Sequence, residues 1–70
     1  MDVRRRLGLR LKHLRQELGI SQEELADRAG IHRTYVSGVE RGIRNPTVTV
    51  MEKLAAGLGV DLAALVTFER

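Results

Sequence analysis

The chain has 70 residues, no cysteine, 43% hydrophobic residues, a formal net charge of +3 and a pI near 10.2. Disulfides and thiolate metal sites are excluded, and one small domain over residues 1–70 lies close to the lower size limit for an independent core. No apolar run approaches the roughly 20 residues of a membrane span, and "MDVRRRLGLR" lacks the apolar segment of a secretory signal, so the expectation is a full-length cytoplasmic protein.

In chain order, Val3, Leu7, Leu11, Leu14 and Leu18 recur at steps of four, four, three and four, one apolar stripe of an amphipathic helix ended by Gly19. "GISQEELADRAG" follows: Ser21 with Glu24 three residues on predicts a capping box, Ile20 and Leu25 a hydrophobic staple, and Gly30 a left-handed stop. The second helix is therefore placed at about 22–29. Ile31 and Val36 stand in staple positions around His32 as a modest cap, and Gly42 ends a third helix over "HRTYVSGVER". "TVTV" at 47–50 is ambiguous between strand and helix. Thr47 after the only proline favours a fourth helix, with Val50, Met51, Leu54, Ala55 and Leu58 inward and Gly59 as its stop. Asp61 caps a last helix, with Val60 and Leu65 as its staple. One all-α domain of five helices results, and the two short helices around Gly30 form a candidate helix-turn-helix.

The third helix is weak, with Thr34, Val36 and Val39 β-branched and Gly38 in its middle. At about 100° per residue its buried direction lies between Val36 and Val39, so Thr34, Ser37, Gly38 and Arg41 cluster on the opposite, outward side. Arg33 flanks them. A face that is small in its middle and polar throughout suits a helix in the DNA major groove. Gly38 and Ser37 would allow close approach, Arg33 could fork onto a guanine, and Thr34 offers a hydroxyl and a methyl. Tyr35 lies to one side, either as half-buried packing or with its hydroxyl toward DNA. His32 serves as cap or phosphate neighbour. Basic residues support a polyanionic partner: Arg4, Arg5, Arg6, Arg10, Lys12 and Arg15 against Asp2 alone, then Arg28, Arg33, Arg41 and Arg44 around the third helix.

"LGISQEELADRAGIHRTYVSGVERGIRNPTVTVMEKLAAGLGV" resembles the lambda-repressor-like (Cro/XRE-type) helix-turn-helix regulators, a likeness that extends over about residues 5–66. Within it "HRTYVSGVERGIRN" is similar to the controller proteins of restriction–modification systems. The resemblance implies a compact five-helix DNA-binding fold and a transcriptional regulator. It implies backbone contact by Gln22, base reading by Arg33, Thr34 and Ser37, and a phosphate grip by Arg41, Arg44 and Asn45. It also implies an ion pair between Arg15 and the Glu40 of "ERG". The wheel agrees independently, placing Glu40 nearer the buried side than a lone carboxylate should be.

Other classes fit less well. His13 and His32 are the only histidines, and no HExxH, phosphate-binding glycine loop or nucleophile elbow appears, so neither an enzyme nor a metal or other cofactor is expected. Glu23, Glu24 and Asp27 read as first-turn dipole complement and solvated surface. The basic amphipathic first helix would also suit an anionic membrane, but its leucines are needed inside the core. An antitoxin or protein-interaction module that also binds DNA stays open. Leu62, Leu65, Val66 and Phe68 near the C-terminus predict a two-fold homodimer interface, although Leu62 and Leu65 could instead close the monomer core. The expected partners are double-stranded DNA and a second copy of the chain, with RNA polymerase as a further candidate. No small-molecule effector is expected. Whether bound protein activates or represses depends on operator position, which the chain does not carry.

Overall fold

The computed structural model describes residues 2–68, so Met1, Glu69 and Arg70, which the 1–70 domain reading includes, lie outside the described residues. Five helices follow one another: α1 Val3–Leu18, α2 Gln22–Ala29, α3 Arg33–Glu40, α4 Val48–Leu58 and α5 Leu62–Leu65. No strand occurs among the described residues. The "TVTV" ambiguity resolves as helix because the Thr47 hydroxyl accepts the Val50 amide at 3.1 Å, an N-cap that closes the first turn of α4.

A recurring three-residue device joins the helices. Gly19, Gly30 and Gly59 take left-handed conformations, and each donates its amide back into the last turn of the helix it ends. The next residues, Ile20, Ile31 and Val60, donate to carbonyls five residues back and pack against the core. Each of these apolar residues thus closes one helix and immediately precedes the cap of the next, Ser21, His32 or Asp61. Connections this short force neighbouring helices to turn sharply and bury their inner faces together. Only half of the expected capping box forms. Ser21 Oγ accepts the Glu24 amide at 3.0 Å, whereas the Glu24 carboxylate turns outward to Arg28 at 3.0 Å. Asp61 occupies its cap position without a side-chain bond.

α2 packs between α3 and α4, α1 lies against α3, and α5 bridges α1 and α4. Leu11, Leu25, Val36, Val39, Leu54 and Leu65 fill the centre. The α1 stripe is buried only in its middle: Leu7 and Leu11 are inside, while Val3 and Leu18 are 62% and 45% exposed. Length accounts for this. α1 has 16 residues and its partner α3 has 8, so both ends of α1 overhang. Where the two cross, Gly8 is buried, and a Cβ there would press on Val39 O and lie 2.5 Å from Glu40 O. Only a glycine lets the two backbones approach so closely.

α5 closes the core. Leu65 is fully buried, Leu62 and Phe68 pack on the core from the side, and Arg10 Nε donates to Ala64 O at 2.9 Å, tying α5 to α1. Leu65 is therefore removed from the expected dimer interface: its side chain completes the monomer. Val66, 43% exposed, keeps an outward face.

Candidate nucleic-acid interface

α3 is positioned from behind by a buried carboxylate. Glu40 accepts from Arg15 Nε at 2.7 Å and Arg15 Nη2 at 3.0 Å, a bidentate pair, and from Gln22 Nε2 at 3.0 Å. Arg15 Nη1 also donates to Ile20 O at 2.9 Å, in the turn between α1 and α2. Three helices are thus tied to one carboxylate whose side chain is 3% exposed, with Arg15 at 12%. The hydrogen bonds to Glu40 raise the pKa of Arg15 above its ordinary value. The expected Arg15–Glu40 pair is present. Gln22 is drawn into it, a contact for which the sequence carried no spacing signal, since the two residues belong to different helices.

In front, the start of α3 stands clear of the domain. His32, Arg33 and Thr34 are exposed and Ser37 is half-buried. His32 occupies the N-cap without a side-chain bond, which leaves the first amides of α3 free for an external acceptor. Arg33 Nη1 lies 3.7 Å from Glu23 Oε2 of α2, a loose pair between two exposed side chains. In the loop after α3, Arg41, Arg44 and Asn45 are exposed, and Pro46 is buried.

Gly38 departs from expectation. It is buried, and the atoms nearest to a Cβ built there all belong to Arg44: Cγ in collision, then Cδ and Nε at 3.3 Å. The loop folds back over α3 because the amides of Ile43 and Arg44 both donate to Gly38 O, at 3.0 and 3.2 Å. Gly38 therefore offers no open surface for a base edge; the Arg44 side chain occupies that space. Arg44 Cζ lies 5.4 Å from the centroid of the Tyr35 ring, so Tyr35, half-buried against the core, also faces Arg44.

Much of the basic excess serves the fold. Arg4 pairs with Asp2 at 3.2 Å, Arg28 with Glu24, and Arg6 lies 5.0 Å over the Phe68 ring. With Arg10 and Arg15 also engaged inside the domain, three cations near the C-terminal end of α3 meet no carboxylate among the described residues: Arg5, which lies against Gly42, and Arg41 and Arg44. Arg41 and Arg44 stand beyond the last turn of α3, at the opposite end from Arg33. Phe68 is held against α1 through Arg6, Leu62 is half-buried, and Val66 is exposed.

Two short helices joined by a glycine turn, the second exposed along its leading side and flanked by free arginines, define a helix-turn-helix DNA-binding domain. The HTH_3 helix-turn-helix family model matches residues 11–65, and the chain belongs to that Cro/XRE-type family of transcriptional regulators, which bind double-stranded DNA. It is 46% identical over 67 residues to an uncharacterized HTH-type transcriptional regulator, y4dJ, of Sinorhizobium fredii, covering 96% of this chain and 87% of that protein. Control protein C.MunI of a Mycoplasma species is 43% identical over 65 residues, with 91% and 88% covered. The crystal structure of the restriction–modification controller protein C.AhdI from Aeromonas hydrophila superposes with a TM-score of 0.87 at 44% identity, covering 89% of this chain and 94% of that one. The chain is a helix-turn-helix transcriptional regulator close to the restriction–modification controller proteins.

Proposed function

We propose that this regulator binds an inverted-repeat operator as a homodimer and acts as a controller for a restriction–modification system. The observation that carries the DNA-reading part is the exposed side of α3, where Arg33, Thr34 and Ser37 project together and no acidic residue of α3 intervenes. In this reading these three side chains meet base edges in the major groove, with Arg33 bidentate to a guanine. Gln22, His32, Tyr35, Arg41, Arg44 and Asn45 surround them and contact phosphates or support those contacts. Gln22 keeps its amide oxygen and one N–H for this after its bond to Glu40. The dimer forms through Val66 with Leu62 and Phe68 around it, which sets two copies of α3 about one turn (roughly 34 Å) apart on the duplex. Likeness to C.AhdI and C.MunI supports the controller role. RNA polymerase is the further partner such a role would require when bound protein activates.

The test is selection from random duplexes, followed by anisotropy titration of the recovered sequence at two salt concentrations. An inverted repeat is expected. Arg33→Ala should then cost about 1–3 kcal/mol and relax preference at one position, whereas Arg41→Ala should weaken all sequences alike. Salt-sensitive binding without any enriched sequence refutes the base-reading assignment and favours a role in protein interaction.

A further inference from the structure

Between α3 and the loop that follows it lies a small construction that base reading does not use. Tyr35 presents its ring, Gly38 presents a bare backbone, and the Arg44 side chain lies across both. Two amide hydrogen bonds onto Gly38 O fix the loop backbone that carries Arg44. We propose that Tyr35 and Gly38 are positioning residues for Arg44, holding its guanidinium in place for a DNA backbone phosphate before DNA arrives. This rests on the reading of α3 and its loop as the DNA-contacting face.

Two independent features argue for it. The first is steric: every atom that a side chain at residue 38 would meet first belongs to Arg44, and the collision falls on Cγ, close to the backbone, where the chain has least freedom to yield. The glycine is thus matched to Arg44 and not to an approaching base. The second is electronic. With Arg44 Cζ 5.4 Å from the Tyr35 ring centroid, cation–π attraction holds the guanidinium without using its N–H donors. Those donors are the groups that bond phosphate oxygens. An arginine on an exposed loop would otherwise lose rotamer freedom on binding, and a seat that fixes it beforehand removes part of that loss.

The proposal is tested by titrating the selected operator duplex with the intact wild-type chain, Arg44→Ala, Gly38→Ala and the double variant, each first checked by thermal melting. Arg44→Ala should bind about tenfold more weakly and show a salt slope reduced by about one. Gly38→Ala should lose affinity to a similar degree, and any fall in its melting temperature should disappear when Arg44→Ala removes the side chain that the new Cβ meets. When Arg44→Ala is already present, adding Gly38→Ala should cost nothing further. A second cycle varies Tyr35. Tyr35→Phe, which keeps the ring, should bind more tightly than Tyr35→Leu while Arg44 is intact, and the two should bind alike once each is combined with Arg44→Ala.

Equal losses from Gly38→Ala with and without Arg44→Ala overturn the seat and give Gly38 a direct part in approaching DNA. Equal binding of Tyr35→Phe and Tyr35→Leu in the presence of Arg44 overturns the aromatic platform. Unchanged affinity and salt slope in Arg44→Ala overturn the phosphate contact itself, and with it the reading on which the proposal rests.

Discussion

Removing Arg15 should be the most damaging single change to the DNA-reading end of the domain, although Arg15 sits behind α3. In Arg15→Ala, Glu40 stays inside with its side chain 3% exposed and loses two of its three donors. Breaking a buried pair from one side costs about 3–5 kcal/mol because a charge is left without compensation. Gln22 still donates at 3.0 Å, so the lower end, about 3 kcal/mol, is the better expectation. Glu40→Ala should cost less, about 2 kcal/mol, because the long Arg15 side chain can turn its head to water. It also keeps the Ile20 carbonyl. At roughly 0.05–0.15 kcal/mol per residue a domain of 70 residues holds only about 3–10 kcal/mol in all, so Arg15→Ala should lie near the edge of folding. The assay is urea unfolding followed by circular dichroism at one fixed protein concentration, since the proposed dimerisation would add to apparent stability. An apolar pair, Arg15→Met with Glu40→Leu, should recover most of the loss. Both single alanine variants unfolding within about 0.5 kcal/mol of wild type would refute the reasoning.

Gly8→Ala should lower stability by about 2–3 kcal/mol in thermal or urea unfolding, although helix propensity alone favours alanine by up to about 1 kcal/mol. The Cβ meets the backbone carbonyls of Val39 and Glu40, which cannot rotate aside, so α1 and α3 must separate; unchanged stability would show that they part freely. Leu65→Ala should cost about 2–5 kcal/mol at any concentration, because it empties a monomer core site. Val66→Asp should instead leave the fold intact and give a monomeric mass in sedimentation, and a dimer in that variant refutes the proposed interface. Asp2 caps α1, and the Arg4 side chain bonded to it holds its carboxyl below the ordinary value of 3.8. Its stabilising effect is therefore complete at neutral pH and lost as the pH falls below 3.8 and through the lowered value. A pH titration by NMR should show the first turn of α1 fraying in that range, and no change there would remove the cap's role.

Helix boundaries were legible in the sequence because they rest on local chemistry. Ser21, Thr47 and the glycines at 19, 30 and 59 act on their own turns, within four residues of themselves, and spacing records such effects directly. The inward face of α3 was legible for the same reason, through Val36, Val39 and the inward-leaning carboxylate of Glu40. What the helical wheel could not supply was the course of the chain after α3. It gave Gly38 an outward direction correctly, but the loop returns over that side, so outward there means toward Arg44. Leu65 went astray similarly: an apolar residue on a four-residue helix can face the core or a partner, and only the packing of α5 between α1 and α4 decides. Gly8 gave no sign at all, because a glycine inside a regular stripe looks like a mild defect until the crossing helix is in place.

The weakness of α3 follows from these contacts. Eight residues with no side-chain cap and a glycine inside would not hold a helix in water. The surrounding domain holds it on every side except the reading one: Val36 and Val39 enter the core, the Val39 and Glu40 carbonyls lie against Gly8, Glu40 is bound by Arg15 and Gln22, and Gly38 is covered by Arg44. A helix with strong propensity of its own would need fewer of these ties and would be oriented less firmly. Because α3 depends on them, its direction is set by α1 and α2, and a change at Gly8 or Arg15 alters how Arg33 and Thr34 are presented without touching the exposed face. Variants at Gly8 and Arg15 should therefore lose operator affinity in step with stability, whereas Arg33→Ala loses affinity with stability intact.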